Sequence, residues 1–177
     1  MEIPTIFDLT DKVALVSGAS RGIGAAAAKI LSEYGAHVIL TSRKAENLKE
    51  VEAVIKKSGN QASSTVCHNG DLLQIEALFQ NIQKTHGRLD ILVNNAATNP
   101  FYGSVLAADE HAWDKTMDVN LKGPFFMSQH AVKLMRENGV GSIVNVSSIN
   151  GRIPMHNQSI YSITKACLLY TSPSPRD

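Results

Sequence analysis

The chain has 177 residues, 44% of them hydrophobic, and 17 Lys and Arg against 16 Asp and Glu give it a formal net charge of +1. That size and composition suit one α/β domain with a sizeable core, and the near-neutral balance excludes nucleic acid or an anionic membrane surface as the main partner. Cys67 and Cys167 make no disulfide framework, the six histidines are scattered, the start has no basic or apolar leader, and no stretch is apolar enough to span a bilayer; the expectation is a cytoplasmic protein with no metal site.

Strand and helix signals alternate along the chain. Residues 13–17 form a short apolar run ending at Gly18. Residues 23–34 are Ala-rich and helical, stopped by Gly35. A second strand is expected at 37–40 and a helix with spaced charges at 46–57. A weaker third strand covers 62–67. Residues 72–85 place Leu72, Ile75, Leu78, Phe79 and Ile82 on one helical face. Ile91, Leu92 and Val93 read as a buried strand. One long helix is expected over 113–136, a fifth strand over 142–146, and a last helix from about Ser159. Near-continuous apolar strands alternating with helices predict a doubly wound, Rossmann-like parallel sheet in the order 3-2-1-4-5. The fold class is α/β.

The first strand runs into Gly18, Ala19, Ser20, Arg21, Gly22, Ile23 and Gly24, and then into a helix. Glycines in such a turn let backbone N–H groups reach a pyrophosphate at the helix N-terminus. The plain alternative is an ordinary strand–helix turn. The second strand leads to Thr41, Ser42, Arg43 and Lys44, with no carboxylate before Glu46. An NAD site usually carries Asp or Glu there for the ribose hydroxyls. Arg43 and the Ser42 hydroxyl can instead hold a 2′-phosphate, and Arg21 can reach it too. The cofactor expected is NADP(H) over NAD(H), although Arg43 alone could be a surface arginine. Small residues after Asn94 and Asn95 let the backbone lie against a ribose; Asn95 could equally tie neighbouring strands together, and the two roles are compatible.

Tyr161 and Lys165 lie four apart, on one face of the last expected helix. A free phenol is a poor base at neutral pH. A cation about 5 Å away, at an effective dielectric of ~20, favours the phenolate by about 3 kcal/mol. The pair by itself is a common spacing. Ser148, thirteen residues upstream of Tyr161, gives it a possible partner. Ser147, beside it, faces the other way along an extended chain and reads as a cap or turn hydroxyl.

Taken together, Ser17 to Gly24, Asn94-Asn95-Ala96, Asn120, Ser148 and Tyr161-x-x-x-Lys165 resemble the short-chain dehydrogenase/reductase family, in family order and spacing, over residues 6 to about 166. The resemblance implies that Tyr161 is the general acid/base and that Lys165 binds the nicotinamide ribose and lowers the tyrosine's proton affinity. Ser148 would hold the substrate oxygen, and Asn120 would position a relay water. It implies hydride transfer between NADP(H) and a small-molecule carbonyl or alcohol, in a homodimer or homotetramer. Three positions depart from the family pattern. Ser17 stands for the usual Thr, Ala97 for a Gly, and Cys67-His68-Asn69-Gly70 for the commoner Asp-Val near the adenine. The second reading is a non-catalytic nucleotide-binding or scaffold protein.

Pro124 lies four residues after Asn120. It has no N–H to offer the Asn120 carbonyl, and its ring pushes against that carbonyl. A kink at 120 is expected, and the freed carbonyl could hold a water; a simple bend is the alternative. Residues 167–177, with Pro173 and Pro175, back-translate into a transposon-end sequencing adapter read in frame. The expectation is therefore a domain over 1–166 that lacks the family's C-terminal strands, with 167–177 a non-native tail. The helix bearing Tyr161 would then be cut after about one turn, strand five would be an open edge, and the chain as it stands would be poorly soluble and inactive.

Overall fold

The computed structural model describes residues 5–171. Residues 172–177, the end of the segment read as a tail, lie outside them. Strands β1 (Val13–Ser17), β2 (His37–Ser42), β3 (Ala62–Val66), β4 (Ile91–Asn94) and β5 (Ser142–Asn145) form one sheet in the order β3-β2-β1-β4-β5, every pair parallel. Helices α1 (Gly22–Glu33), α2 (Ala45–Lys57), α3 (Leu72–His86), α4 (Glu110–Met117), α5 (Gly123–Glu137) and α6 (Ser159–Thr171) connect and follow them. The α/β doubly wound sheet matches the expectation from the sequence.

Alternate strand residues serve opposite faces. Leu15, Ile39 and Leu92 pack with Ile75, Leu78 and Phe79 of α3 and Met127 and Ala131 of α5. Ala14, Val16, Val38, Leu40 and Val93 pack with Ala28 of α1 and Leu48 and Ile55 of α2. Both faces are thus covered, which is why the strands read as unbroken apolar runs. At the start of the sheet, Asp90 accepts from the Val13 backbone N–H at 2.9 Å and from Arg88 through two nitrogens. This fixes the register of β4 against β1. Among the described residues β5 pairs with β4 alone, leaving an edge with Val144 49% exposed.

Two helices differ from expectation. The long helix over 113–136 starts earlier and is interrupted. Asp109 caps α4 by accepting from the Ala112 N–H at 2.7 Å, a signal that moves the start ahead of Trp113. Between α4 and α5, Asp118–Lys122 form a π-helical turn, in which the Gly123 N–H bonds the Asp118 carbonyl. The departure expected near Asn120 is this turn. The second correction concerns α6, which does not stop one turn after Tyr161 but runs to Thr171. Cys167 to Thr171 contain no helix breaker, and Leu168 falls four residues after buried Thr164, on the same inner face as Ile160.

Candidate active site

The C-terminal ends of β1, β2 and β4 open onto a cleft of about 480 Å³. A crevice there is where open parallel sheets hold ligands. Gly18 takes a left-handed φ of 66°, and a Cβ on it would come 2.8 Å from the Ala96 Cα. The turn after β1 can therefore lie directly against the end of β4. Gly22 also has a positive φ of 57°, but nothing lies within 4 Å of where its Cβ would be. That open space sits in front of the first turn of α1. Arg21 occupies the N-cap position without a side-chain capping bond, and the first turn has no acidic residue. The first N–H groups of α1 are left to face the cleft with the positive end of the helix dipole. A diphosphate fits this cradle.

Of the cofactor-binding candidates, Gly18, Ser20, Arg21, Gly22, Ile23, Ser42, Arg43 and Asn95 line the cleft, while Gly24 lies in the first turn of α1 and is not among the lining residues. A Cβ on Gly24 would collide with the Gly18 carbonyl, so its part is to let α1 pass close to β1. Lys44 also lines the cleft, and no described lining residue is a carboxylate. Asn95 is a strut as well as a wall. Its Nδ2 donates to the carbonyls of Ser17 and Gly18 at 3.0 and 3.2 Å. The Ser17 hydroxyl in turn accepts from the backbone N–H groups of Asn95 and Ala96 at 3.0 and 3.1 Å. The hydroxyl retained in place of threonine's is thus the joint between β1 and β4.

Asn120, Tyr161 and Lys165 gather at the first turns of α6, and Ser148 stands at the start of the 149–151 turn that packs against the same helix. Asn120 is 1% exposed. Its Oδ1 accepts from the Thr98 N–H at 2.7 Å, and its Nδ2 donates to the Thr98 carbonyl at 2.8 Å and to Thr164 Oγ1 at 3.3 Å. It therefore ties the loop after β4 to α6, one residue before Lys165. Thr98, bonded to Asn120, and Val119, next to it in the chain, also line the cleft. Lys165 is 3% exposed and donates to the Val146 carbonyl at 2.7 Å. Burial pushes its pKa down to about 8. Its Nζ lies 5.7 Å from the Tyr161 ring centroid.

The two adjacent serines separate by their partners. Ser147 spends its O–H on the Lys165 carbonyl at 3.0 Å. Ser148 Oγ accepts from the Asn150 N–H at 3.2 Å, which leaves its O–H for donation to another oxygen. Sequence reasoning missed Thr98 and Thr164, since neither belongs to a recognised spacing. It also missed Gln158. The Gln158 Oε1 accepts from Asn99 Nδ2 at 3.2 Å and Asn150 Nδ2 at 3.0 Å, joining the two loops that flank the start of α6.

Three known proteins are similar to this chain, two in sequence and one in structure. Human "Dehydrogenase/reductase SDR family member 4" is 44% identical over 161 residues, 91% of this chain and 58% of that protein. An "Uncharacterized oxidoreductase" of Thermotoga maritima is 43% identical over 159 residues, 89% of this chain and 62% of that protein. A metagenomic short-chain oxidoreductase, solved in complex with NADP, superposes with a TM-score of 0.88 at 38% identity, covering 91% of this chain and 73% of that one. The chain thus spans less than two thirds of the length of the curated relatives it matches. The family model described as "short chain dehydrogenase" matches residues 12–172, which takes in α6 to its last residue and the whole sheet. The chain belongs to the short-chain dehydrogenase family.

Proposed function

We propose that the protein is an oxidoreductase that moves a hydride between NADP(H) and a carbonyl or alcohol carbon, an activity of the whole protein rather than of these 177 residues. The observation that carries this reading is the glycine-rich cradle at the N-terminus of α1, whose wall residue Thr98 is bonded to Asn120, itself bonded to Thr164 beside Lys165 on α6. A bound nicotinamide would supply or accept the hydride. Tyr161 exchanges the proton with the substrate oxygen, and the O–H of Ser148 holds that oxygen in reach. Lys165 gives one of its three N–H bonds to Val146, leaving two for a ribose hydroxyl and the phenol. The Asn120 side chain is fully engaged with Thr98 and Thr164, so any water it positions is held by its backbone carbonyl.

NADP(H) is preferred because Arg21, Ser42, Arg43 and Lys44 line one end of the cleft without a carboxylate among them. A 2′-phosphate finds charge-assisted donors there, whereas a bare ribose finds no carboxylate to accept from its hydroxyls. The deciding experiment follows NADPH oxidation by the full-length protein over a carbonyl panel, for the parent and for Tyr161→Phe. Loss of turnover with NADPH binding retained supports the reading. Turnover that survives the substitution refutes the role of Tyr161, and NADPH binding without turnover of any carbonyl selects the non-catalytic alternative.

A further inference from the structure

The π-turn leaves a backbone carbonyl without a donor in its own helix. The Gly123 N–H bonds the Asp118 carbonyl, one residue further back than in an α-helix. The Val119 carbonyl thereby loses its i+4 partner. Its i+5 partner is Pro124, which has no N–H. Val119 is buried, and a buried carbonyl left unpaired is costly. The donor comes from another part of the fold. Asn69 Nδ2 bonds the Val119 carbonyl at 2.8 Å across a separation of 50 residues.

Asn69 belongs to the loop after β3, where it is 5% exposed and lines the dinucleotide cleft beside Cys67, His68 and Val119. Its backbone also touches the turn, for a Cβ on Gly123 would collide with the Asn69 carbonyl. The Asn69 Oδ1 is buried with no partner. The side chain is thus seated for what its amide nitrogen does, at the expense of its oxygen. The next residue of the turn after Val119 is Asn120, whose side chain meets Thr98 and Thr164.

We propose that Asn69 is a positioning residue whose amide closes the π-turn, sets Asn120 against Thr98 and Thr164, and ties that setting to cofactor occupancy of the cleft. The link to occupancy rests on the functional reading above; the closing of the turn does not. Asn69→Leu leaves the Val119 carbonyl unpaired but removes the orphaned Oδ1 at similar volume, so the two effects offset and the global unfolding midpoint changes little. Asn69→Ala removes the donor without adding bulk or charge, and it decides the question if the leucine variant does not fold.

The test is site-resolved amide exchange and side-chain amide NMR on the full-length protein, with and without NADP+. In either variant the Gly123 amide is expected to exchange at least ~10-fold faster, while the Ala96 amide, held by Ser17, stays within ~2-fold. The Asn120 side-chain resonances should move and those of Asn95 should not. In the parent protein NADP+ should slow exchange at Gly123. Unchanged Gly123 exchange with unmoved Asn120 resonances overturns the closing of the turn. NADP+ binding that leaves Gly123 unaffected overturns the link to occupancy. Failure of the parent protein to bind NADP+ at all counts against the cofactor reading and against that link, and the variants without cofactor still decide the turn.

Discussion

The Lys165 ammonium stands 5.7 Å from the centroid of the Tyr161 ring while donating a 2.7 Å hydrogen bond to the Val146 carbonyl. The four-residue spacing does bring both side chains to one face of α6. It does not reveal that the lysine is anchored to the end of β5, inside the protein. Burial lowers its pKa to about 8.

That burial gives a pH prediction. In the unfolded chain a lysine titrates near 10.4. Between pH 8 and about 10.4 the unfolded chain therefore binds more protons at this site than the folded one, and stability from this site rises with pH across that window. Below pH 8 the penalty for burying the charge is fully present, about 3 kcal/mol. Lys165→Met removes the penalty and leaves the Val146 carbonyl without its donor, which costs about 1 to 2 kcal/mol. The variant should be more stable than the parent at pH 7 by roughly 1 to 2 kcal/mol, the difference between those two terms. Its advantage should fade by pH 10. Denaturant unfolding at both pH values measures this, and a variant less stable than the parent at pH 7 would falsify it.

Asn120 makes the opposite trade. Its side chain satisfies both the N–H and the carbonyl of Thr98 and one hydroxyl of α6, while 1% exposed. Asn120→Ala takes the side-chain partner from both backbone groups of half-buried Thr98, while the Thr164 hydroxyl keeps its bond to the Tyr161 carbonyl, at an expected cost of roughly 2 to 4 kcal/mol. The expected readout is a lower denaturant midpoint with an unchanged m-value. A loss below about 1 kcal/mol would mean that water replaces the side chain without penalty.

The sheet was legible because most strands announce themselves locally, β3 less than the others. Val13 to Ser17 and Ile91 to Val93 are apolar runs between turn residues, and the glycines from Gly18 to Gly24 mark one particular kind of turn. The cofactor cleft followed from the same segments. What the sequence hid are bonds between distant segments: Asn69 to Val119, Asn120 to Thr98 and Thr164, and Lys165 to Val146. No periodicity records them. Pro124 did signal a disturbed helix, but the carbonyl seen to draw an outside donor is that of Val119, because the π-register moves each helical partner on by one residue. The reading of residues 167–177 as a non-native tail cuts α6 short, whereas the buried positions Ile160, Thr164 and Leu168, four apart, carry the helix on past residue 166.

Ser17 is 1% exposed and bonds three backbone groups, with its O–H directed to the Val93 carbonyl at 3.3 Å. Ser17→Ala strands the Ala96 N–H, while the Asn95 N–H keeps its bond to the Val93 carbonyl, and a loss of about 1 to 2 kcal/mol is expected. Ser17→Thr keeps the hydroxyl, so stability should stay within about 1 kcal/mol of the parent unless the added methyl overpacks the site. Thermal unfolding of the two variants side by side separates hydroxyl from volume. Equal destabilisation by both would assign the position to packing alone.

Arg43 offers the sharpest test of cofactor choice, because it is exposed and its removal leaves the fold alone. A charge-assisted bond to a phosphate contributes about 1.5 to 3 kcal/mol. Arg43→Ala should therefore weaken NADPH binding by roughly 10- to 100-fold. NADH lacks the 2′-phosphate, and its affinity should change by less than about 3-fold, corresponding to under about 0.7 kcal/mol. Because the arginine is solvent-exposed, added salt should erode the parent's preference for NADPH, and the variant should show little of that dependence. Cofactor fluorescence titration at two ionic strengths reads all of these. Parallel losses for NADPH and NADH would place Arg43 at a feature common to both dinucleotides, and the 2′-phosphate would then have to be sought at Arg21 or Lys44, which line the same end of the cleft.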